Sequence, residues 1–128
     1  VQSGKVLVID DEETVCRLNR AILKRWGYET IGAQNGLQAL ELYREHQADI
    51  SLVILDLNMP MMNGKDFFKK LRADFDYVPV IVVSGHLVDF EAFEMDCGGR
   101  PEAFVQKPFQ ADRLIEIVED AVALEQAA

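Results

Sequence analysis

Short, unbroken apolar runs constrain this chain more than any other feature. Val6-Leu7-Val8-Ile9, Leu52-Val53-Ile54-Leu55 and Val80-Ile81-Val82-Val83 are rich in β-branched residues, and each precedes a stretch with helical spacing of apolar positions. A strand with one wet face alternates apolar and polar residues, whereas a strand covered on both faces reads as a continuous apolar run. Tyr28-Glu29-Thr30-Ile31 and the shorter Phe104-Val105 supply two further strand signals. Parallel strands need crossovers long enough to hold a helix, and right-handed crossovers distribute those helices over both faces. The predicted fold is therefore α/β: a doubly wound, five-stranded parallel sheet with helices on both faces.

The helices are marked by their apolar spacing. Val15, Leu18 and Ile22 define the first, closed by Gly27, and Asn35-Gly36 opens a second carrying Leu37, Leu40 and Tyr43. Phe67, Phe68 and Leu71 mark the third, Leu87, Phe90, Phe93 and Cys97 the fourth, and Leu114, Ile117, Val118 and Ala121 the last. No linker, repeat or low-complexity tract interrupts the pattern, and the length suits one domain over residues 1–128.

In an open parallel sheet, ligands bind beyond the carboxyl ends of the strands. Asp10, Asp11 and Glu12 follow the first run, Asp56 and Asn58 the third, Ser84 and His86 the fourth, and Lys107 the fifth. Asp10, Asp11 and Asp56 cannot all stay ionised side by side without a proton or a cation among them. Hard carboxylate oxygens suit Mg²⁺, which takes phosphate oxygens as further ligands. An ammonium and a hydroxyl are poor partners for that ion but good ones for phosphoryl oxygens. An Asp carboxylate can itself be the nucleophile toward phosphorus. A Ser84–His86 hydrolase is a weak alternative, because no carboxylate in the local sequence is placed to orient His86. Asp10 and Asp11 are also well placed to cap the first helix.

Charge and composition narrow the partners. The chain has 13 basic and 22 acidic residues, a net charge of −9, which repels nucleic acid and anionic membrane surfaces. Cys16 and Cys97 are isolated and read as small buried hydrophobes. No signal-peptide pattern is present and no apolar run nears the ~20 residues that span a bilayer, so a cytoplasmic location is expected. Val1-Gln2-Ser3-Gly4 opens without an initiator Met, as a segment excised from a longer chain would.

Five pieces in order, each at a strand end or helix start, resemble the receiver domain of two-component response regulators. They are Val8-Ile9-Asp10-Asp11-Glu12, Asn35-Gly36, Asp56-Leu57-Asn58-Met59-Pro60 with Asn63-Gly64, Val83-Ser84-Gly85 and Lys107-Pro108-Phe109. The resemblance implies the flavodoxin-like receiver fold and Asp56 as the phospho-acceptor, loaded by a sensor histidine kinase or phosphotransfer protein. It implies Mg²⁺ (or Mn²⁺) held by Asp10, Asp11, Asp56 and the Asn58 backbone carbonyl. It implies Ser84 and Lys107 as phosphoryl-binding groups, a cis Lys107–Pro108 bond, Phe104 as the switch aromatic, and Asn58 and His86 as residues tuning dephosphorylation. The output would be an effector domain or a homodimer through the fourth-helix and last-helix face, to which Leu87, Phe90 and Phe93 are candidates. The segment Cys97-Gly98-Gly99-Arg100-Pro101 departs from the family and suggests a loosened end to the fourth helix.

Two other readings compete. Aspartyl-nucleophile phosphatases generally carry a second Asp two residues after the nucleophile, where this chain has Asn58. Pseudo-receivers that bind without phosphorylation usually lack a key carboxylate or the lysine, and this chain has them all.

Overall fold

The computed structural model describes residues 4–59 and 61–127. Pro60, the last residue of the Asp56–Pro60 motif, lies outside the described residues. The elements alternate as the apolar runs require: β1 (Lys5–Ile9), α1 (Glu13–Arg25), β2 (Glu29–Ala33), α2 (Gly36–His46), β3 (Ile50–Asp56), α3 (Gly64–Asp74), β4 (Val80–Ser84), α4 (Phe90–Cys97), β5 (Ala103–Gln106) and α5 (Ala111–Ala127). One 3-10 turn, Gln47–Asp49, joins α2 to β3. The five strands form one sheet in the order β2-β1-β3-β4-β5, with every neighbouring pair parallel. The predicted doubly wound sheet is thus present. The chain leaves β1 toward one edge and returns on its other side as β3, so the winding reverses between these two strands. Crevices for ligands open at such a reversal.

Successive strand residues point to opposite faces, and both faces are covered. Leu7, Ile9, Val53, Leu55, Val80 and Val82 pack beneath α2, α3 and α4 with Phe67, Phe68 and Phe93. Val6, Val8, Leu52, Ile54, Ile81 and Val83 pack beneath α1 and α5 with Leu23, Leu114 and Val118. Each such aliphatic or aromatic side chain contributes about 1.5–3 kcal/mol on burial.

Several helix faces differ from expectation. The buried stripe of α1 is Cys16, Asn19 and Leu23, while Leu18 is 60% exposed. Leu37 is likewise exposed, and Ala39, Leu40 and Tyr43 carry the inner face of α2. The fourth helix starts at Phe90, after Asp89 accepts hydrogen bonds from the Glu91 and Ala92 amides. Leu87 therefore sits in the preceding loop, exposed, whereas Phe93 is core. The end of α4 is not loosened: Gly98 takes a left-handed φ of 75° and its N–H donates to the Glu94 carbonyl. Only glycine adopts that closing conformation without steric cost. Capping of α1 by Asp10 or Asp11 does not occur either, since Glu12 is the N-cap residue and no side chain accepts there.

Candidate functional site

The carboxyl ends of β1 and β3 bring Asp10 and Asp56 together, because paired parallel strands stop side by side. Both are nearly fully buried, at 3% and 5% exposure, and Asp11 lies beside them on the surface. One carboxylate oxygen from each of the three falls within 4.8 Å of the others. Mg²⁺ takes carboxylate oxygens at about 2.1 Å. The three carboxylates would converge further to hold one ion. The residues fit such a cation in charge as well, since among the described residues three carboxylates cluster around one ammonium.

That ammonium belongs to Lys107, delivered by the loop after β5. Its Nζ donates to Asp10 Oδ2 at 3.0 Å and lies 3.5 Å from Asp56 Oδ2. The Lys107–Pro108 peptide is cis, as expected, and the Lys107 amide donates to the Ser84 carbonyl at 2.8 Å. Asp56 Oδ1 accepts from the Asn58 amide at 3.1 Å, and Asp10 Oδ1 from the Glu12 amide at 3.0 Å. The carboxylates are thus aimed by backbone donors in their own loops.

Burial pushes the Asp56 carboxyl up to about 6, and the Asn58 amide and the Lys107 charge only partly oppose this, while Asp10 and Asp11 reinforce it. For Lys107, burial alone favours the neutral amine, but the hydrogen bond and charge of Asp10, with help from Asp56, hold its pKa above the usual lysine value. The result is a buried acid whose ionised form lacks enough positive charge nearby.

Ser84 is buried at the end of β4, one residue beyond the Val83 that pairs with Asp56, and its Oγ accepts from the His86 amide at 3.1 Å. Asn58 and His86 are exposed at the mouth, sharing a groove of about 270 Å³ with Leu57, Lys65, Ser84 and Val88. A second groove of about 450 Å³ runs from Asp11 past Asn58 and Met59 to Asn63 and Lys65. Phe104 is not brought into the cluster. It lies on β5, half-buried, with its ring edge-on to Phe90 at 4.3 Å and Phe93 at 5.2 Å.

A positioning contact was not read from the sequence. The Gly36 amide donates to the Met62 carbonyl at 3.1 Å, and a Cβ at Gly36 would lie 2.3 Å from that oxygen. Met61, just before, has a left-handed φ of 66°, a conformation disfavoured for L-residues. The loop after β3 is therefore clamped onto the start of α2, and the Gly64 amide closes its far end on the Leu57 carbonyl at 3.0 Å. Asn35-Gly36 was visible as a motif; the partner across the loop was not.

A model of the response regulator receiver domain matches residues 6–119. The chain belongs to the response-regulator receiver family. The polar-differentiation response regulator DivK of Brucella anthropi is 35% identical over 115 residues, covering 88% of this chain and 91% of DivK. A receiver domain from Clostridium thermocellum superposes with a TM-score of 0.85 at 26% identity, over 97% of this chain and 98% of that one. A structure of the CheX–CheY–BeF₃–Mg²⁺ complex from Borrelia burgdorferi gives 0.79 at 26% identity, over 91% and 87%. The protein is thus a receiver domain of the two-component type, a phospho-accepting signalling module rather than an enzyme acting on free substrates. Receiver domains bind Mg²⁺ at an acidic pocket, and this one has a cluster of Asp10, Asp11 and Asp56, two of them buried. Among the described residues, no helix is long and apolar enough to cross a membrane.

Proposed function

We propose that Asp56 accepts the phosphoryl group, from a phosphohistidine of a sensor histidine kinase or phosphotransfer protein. The observation that carries this is the burial of Asp56 beside Asp10 and Asp11, with Lys107 the one adjacent ammonium among the described residues. A carboxylate oxygen of Asp56 attacks phosphorus in line with the departing imidazole nitrogen; the P–N bond breaks as the O–P bond forms. Asp10, Asp11, Asp56 and the Asn58 carbonyl would hold Mg²⁺ or Mn²⁺. That ion supplies charge neutralisation, which is most of what phosphoryl transfer needs.

The chain's own groups do the rest. Lys107 moves part of its pairing from Asp10 to a phosphoryl oxygen, and Ser84 gives up its His86 contact to donate its hydroxyl. A phosphoryl group adds about two negative charges and strong acceptors, enough to draw both. Ser84 ends β4 next to β5, so its movement vacates space toward Phe104, whose packing on Phe90 and Phe93 ties β5 to α4. Phe104 acts as the switch aromatic, and the α4 and α5 face carries the signal to an effector domain or a second copy. Asn58 and His86, flanking the approach to Asp56, tune how fast water reaches the aspartyl phosphate. A cytoplasmic location suits the free thiols of Cys16 and Cys97.

Incubation with acetyl phosphate or phosphoramidate plus Mg²⁺, followed by intact-mass measurement, tests the assignment. A gain of ~80 Da, one PO₃ on a carboxylate, is expected, and Asp56→Asn removes it. A gain that survives Asp56→Asn sinks the assignment.

A further inference from the structure

At the opposite edge of the sheet, a pocket gathers cations on a molecule whose net charge is −9. Lys5, Arg20, Lys24, Tyr28, Glu29 and Thr30 line a cavity of about 360 Å³, within the size range of small-molecule sites. Lys5 opens β1, Arg20 and Lys24 share one face of α1 a turn apart, and Glu29 and Thr30 begin β2. None of the three cations forms an ion pair with a carboxylate among the described residues.

Arg20 is held in place rather than free. Its Nε donates to Thr30 Oγ1 at 3.1 Å, and the side chain is half-buried. Gly32 leaves the bed on which it lies: a Cβ there would stand 2.8 Å from Arg20 Nη1 and 3.0 Å from its Cδ. A guanidinium fixed by a hydroxyl, with no carboxylate of its own, is a ready-made fork for a planar or tetrahedral oxyanion. Lys24 and Lys5 add two point charges on either side. Glu29 disfavours extended polyanions but can accept from a ligand hydroxyl.

We propose that this pocket binds a phosphate dianion, free or borne as a monoester on a small molecule. It is distinct from the phosphoryl site: Lys5 and Asp10 lie at opposite ends of β1, about 16 Å apart at ~3.3 Å per residue.

The test is titration of the full ¹⁵N-labelled chain in EDTA with inorganic phosphate, with glycerol phosphate, and with hexaglutamate. Saturable amide shifts at Lys24, Thr30 and Gly32 are expected with a phosphate ligand, the tighter of the two identifying the source. Arg20→Gln weakens binding about tenfold or more, as loss of a charge-assisted fork does. Lys24→Gln, on the exposed surface, weakens it about threefold, and decides the matter should Arg20→Gln fail to fold. The proposal is overturned by shifts centred on Ser84 and Lys107, by absence of saturable shifts, by affinity indifferent to these variants, or by hexaglutamate binding more tightly than either phosphate.

Discussion

Charge is drawn partly or wholly out of water at both ends of this sheet, and the two ends treat it in opposite ways. At the amino-terminal edge, Glu102 accepts from the Val80 amide and from the Tyr77 hydroxyl, and lies 3.7 Å from Arg72. Arg72 in turn donates to the Val78 carbonyl and stacks over the rings of Phe68 and Tyr77. One half-buried carboxylate faces one half-buried guanidinium and also accepts from two neutral donors. At the carboxyl-terminal edge, Asp10 and Asp56 share Lys107, with Asp11 a third carboxylate beside them. A charge-balanced pair is a structural joint, whereas an unbalanced buried cluster is a site waiting for charge from outside. The same strands thus hold themselves together at one end and stay reactive at the other.

Four experiments press on that contrast. The largest effect is expected at the balanced end, where Arg72→Ala removes the bond to the Val78 carbonyl, the ion pair with half-buried Glu102 and the stacking over Phe68 and Tyr77, and costs about 3 kcal/mol. Urea unfolding measures the loss, while phosphoryl uptake per folded molecule stays as in the parent; a parallel fall in uptake would show that the two ends are not separable.

At the reactive end, Asp56→Asn has the opposite sign. A carboxyl held near 6 rather than its ordinary 3.8 costs about 2–3 kcal/mol to keep ionised. The folded state holds this proton more tightly than the unfolded chain, so metal-free stability drops as pH rises from about 4 through 6. Asp56→Asn therefore stabilises the protein in EDTA by about 2 kcal/mol at pH 8. The advantage shrinks toward pH 4 and in millimolar Mg²⁺. Equal stability of parent and variant across that range would mean the cluster carries no unmet charge.

Clamping of the loop after β3 can be broken separately. Gly36→Ala drives a Cβ into the Met62 carbonyl, displaces the segment carrying Asn58, and weakens Mg²⁺ about tenfold by calorimetry, as ångström-scale misplacement of a ligand loop does. Unchanged Mg²⁺ affinity in a folded Gly36→Ala protein would remove the loop from the site's support. The smallest change is with pH alone. Between pH 7.5 and 5.5, protonation of Asp56 weakens Mg²⁺ about fourfold, and a flat profile over this range would place the shifted carboxyl elsewhere.

Much of this architecture was legible in the chain. Val80-Ile81-Val82-Val83 admits little besides a doubly covered strand, and strand-end polar residues in a parallel sheet must share an edge. Helix faces were less legible. In α1, both Val15/Leu18/Ile22 and Cys16/Asn19/Leu23 repeat with helical spacing; the second stripe is the fully buried one, Ile22 packs at its border and Leu18 is exposed. The sheet selects the inner face, and Asn19 is buried with it. Leu87 misled for a similar reason, since Asp89 caps α4 later than the apolar spacing suggests. In the site, Asp10, Asp11, Asp56 and Lys107 were all named from strand ends, but Gly36 was not tied to Met62, because contacts between loops leave no periodic trace.

What the sequence determined by itself was the sheet, its parallel sense, and the edge where carboxylates and lysine collect, because periodicity and chain handedness act locally. Only the tertiary structure decided how those groups meet. It set how deeply Asp56 is buried, gave Lys107 a closer grip on Asp10 than on Asp56, and left Arg20 without an ion-paired carboxylate among the described residues. These depend on distances between residues up to 97 positions apart along the chain, and such distances are fixed by strand register and packing rather than by neighbours in sequence.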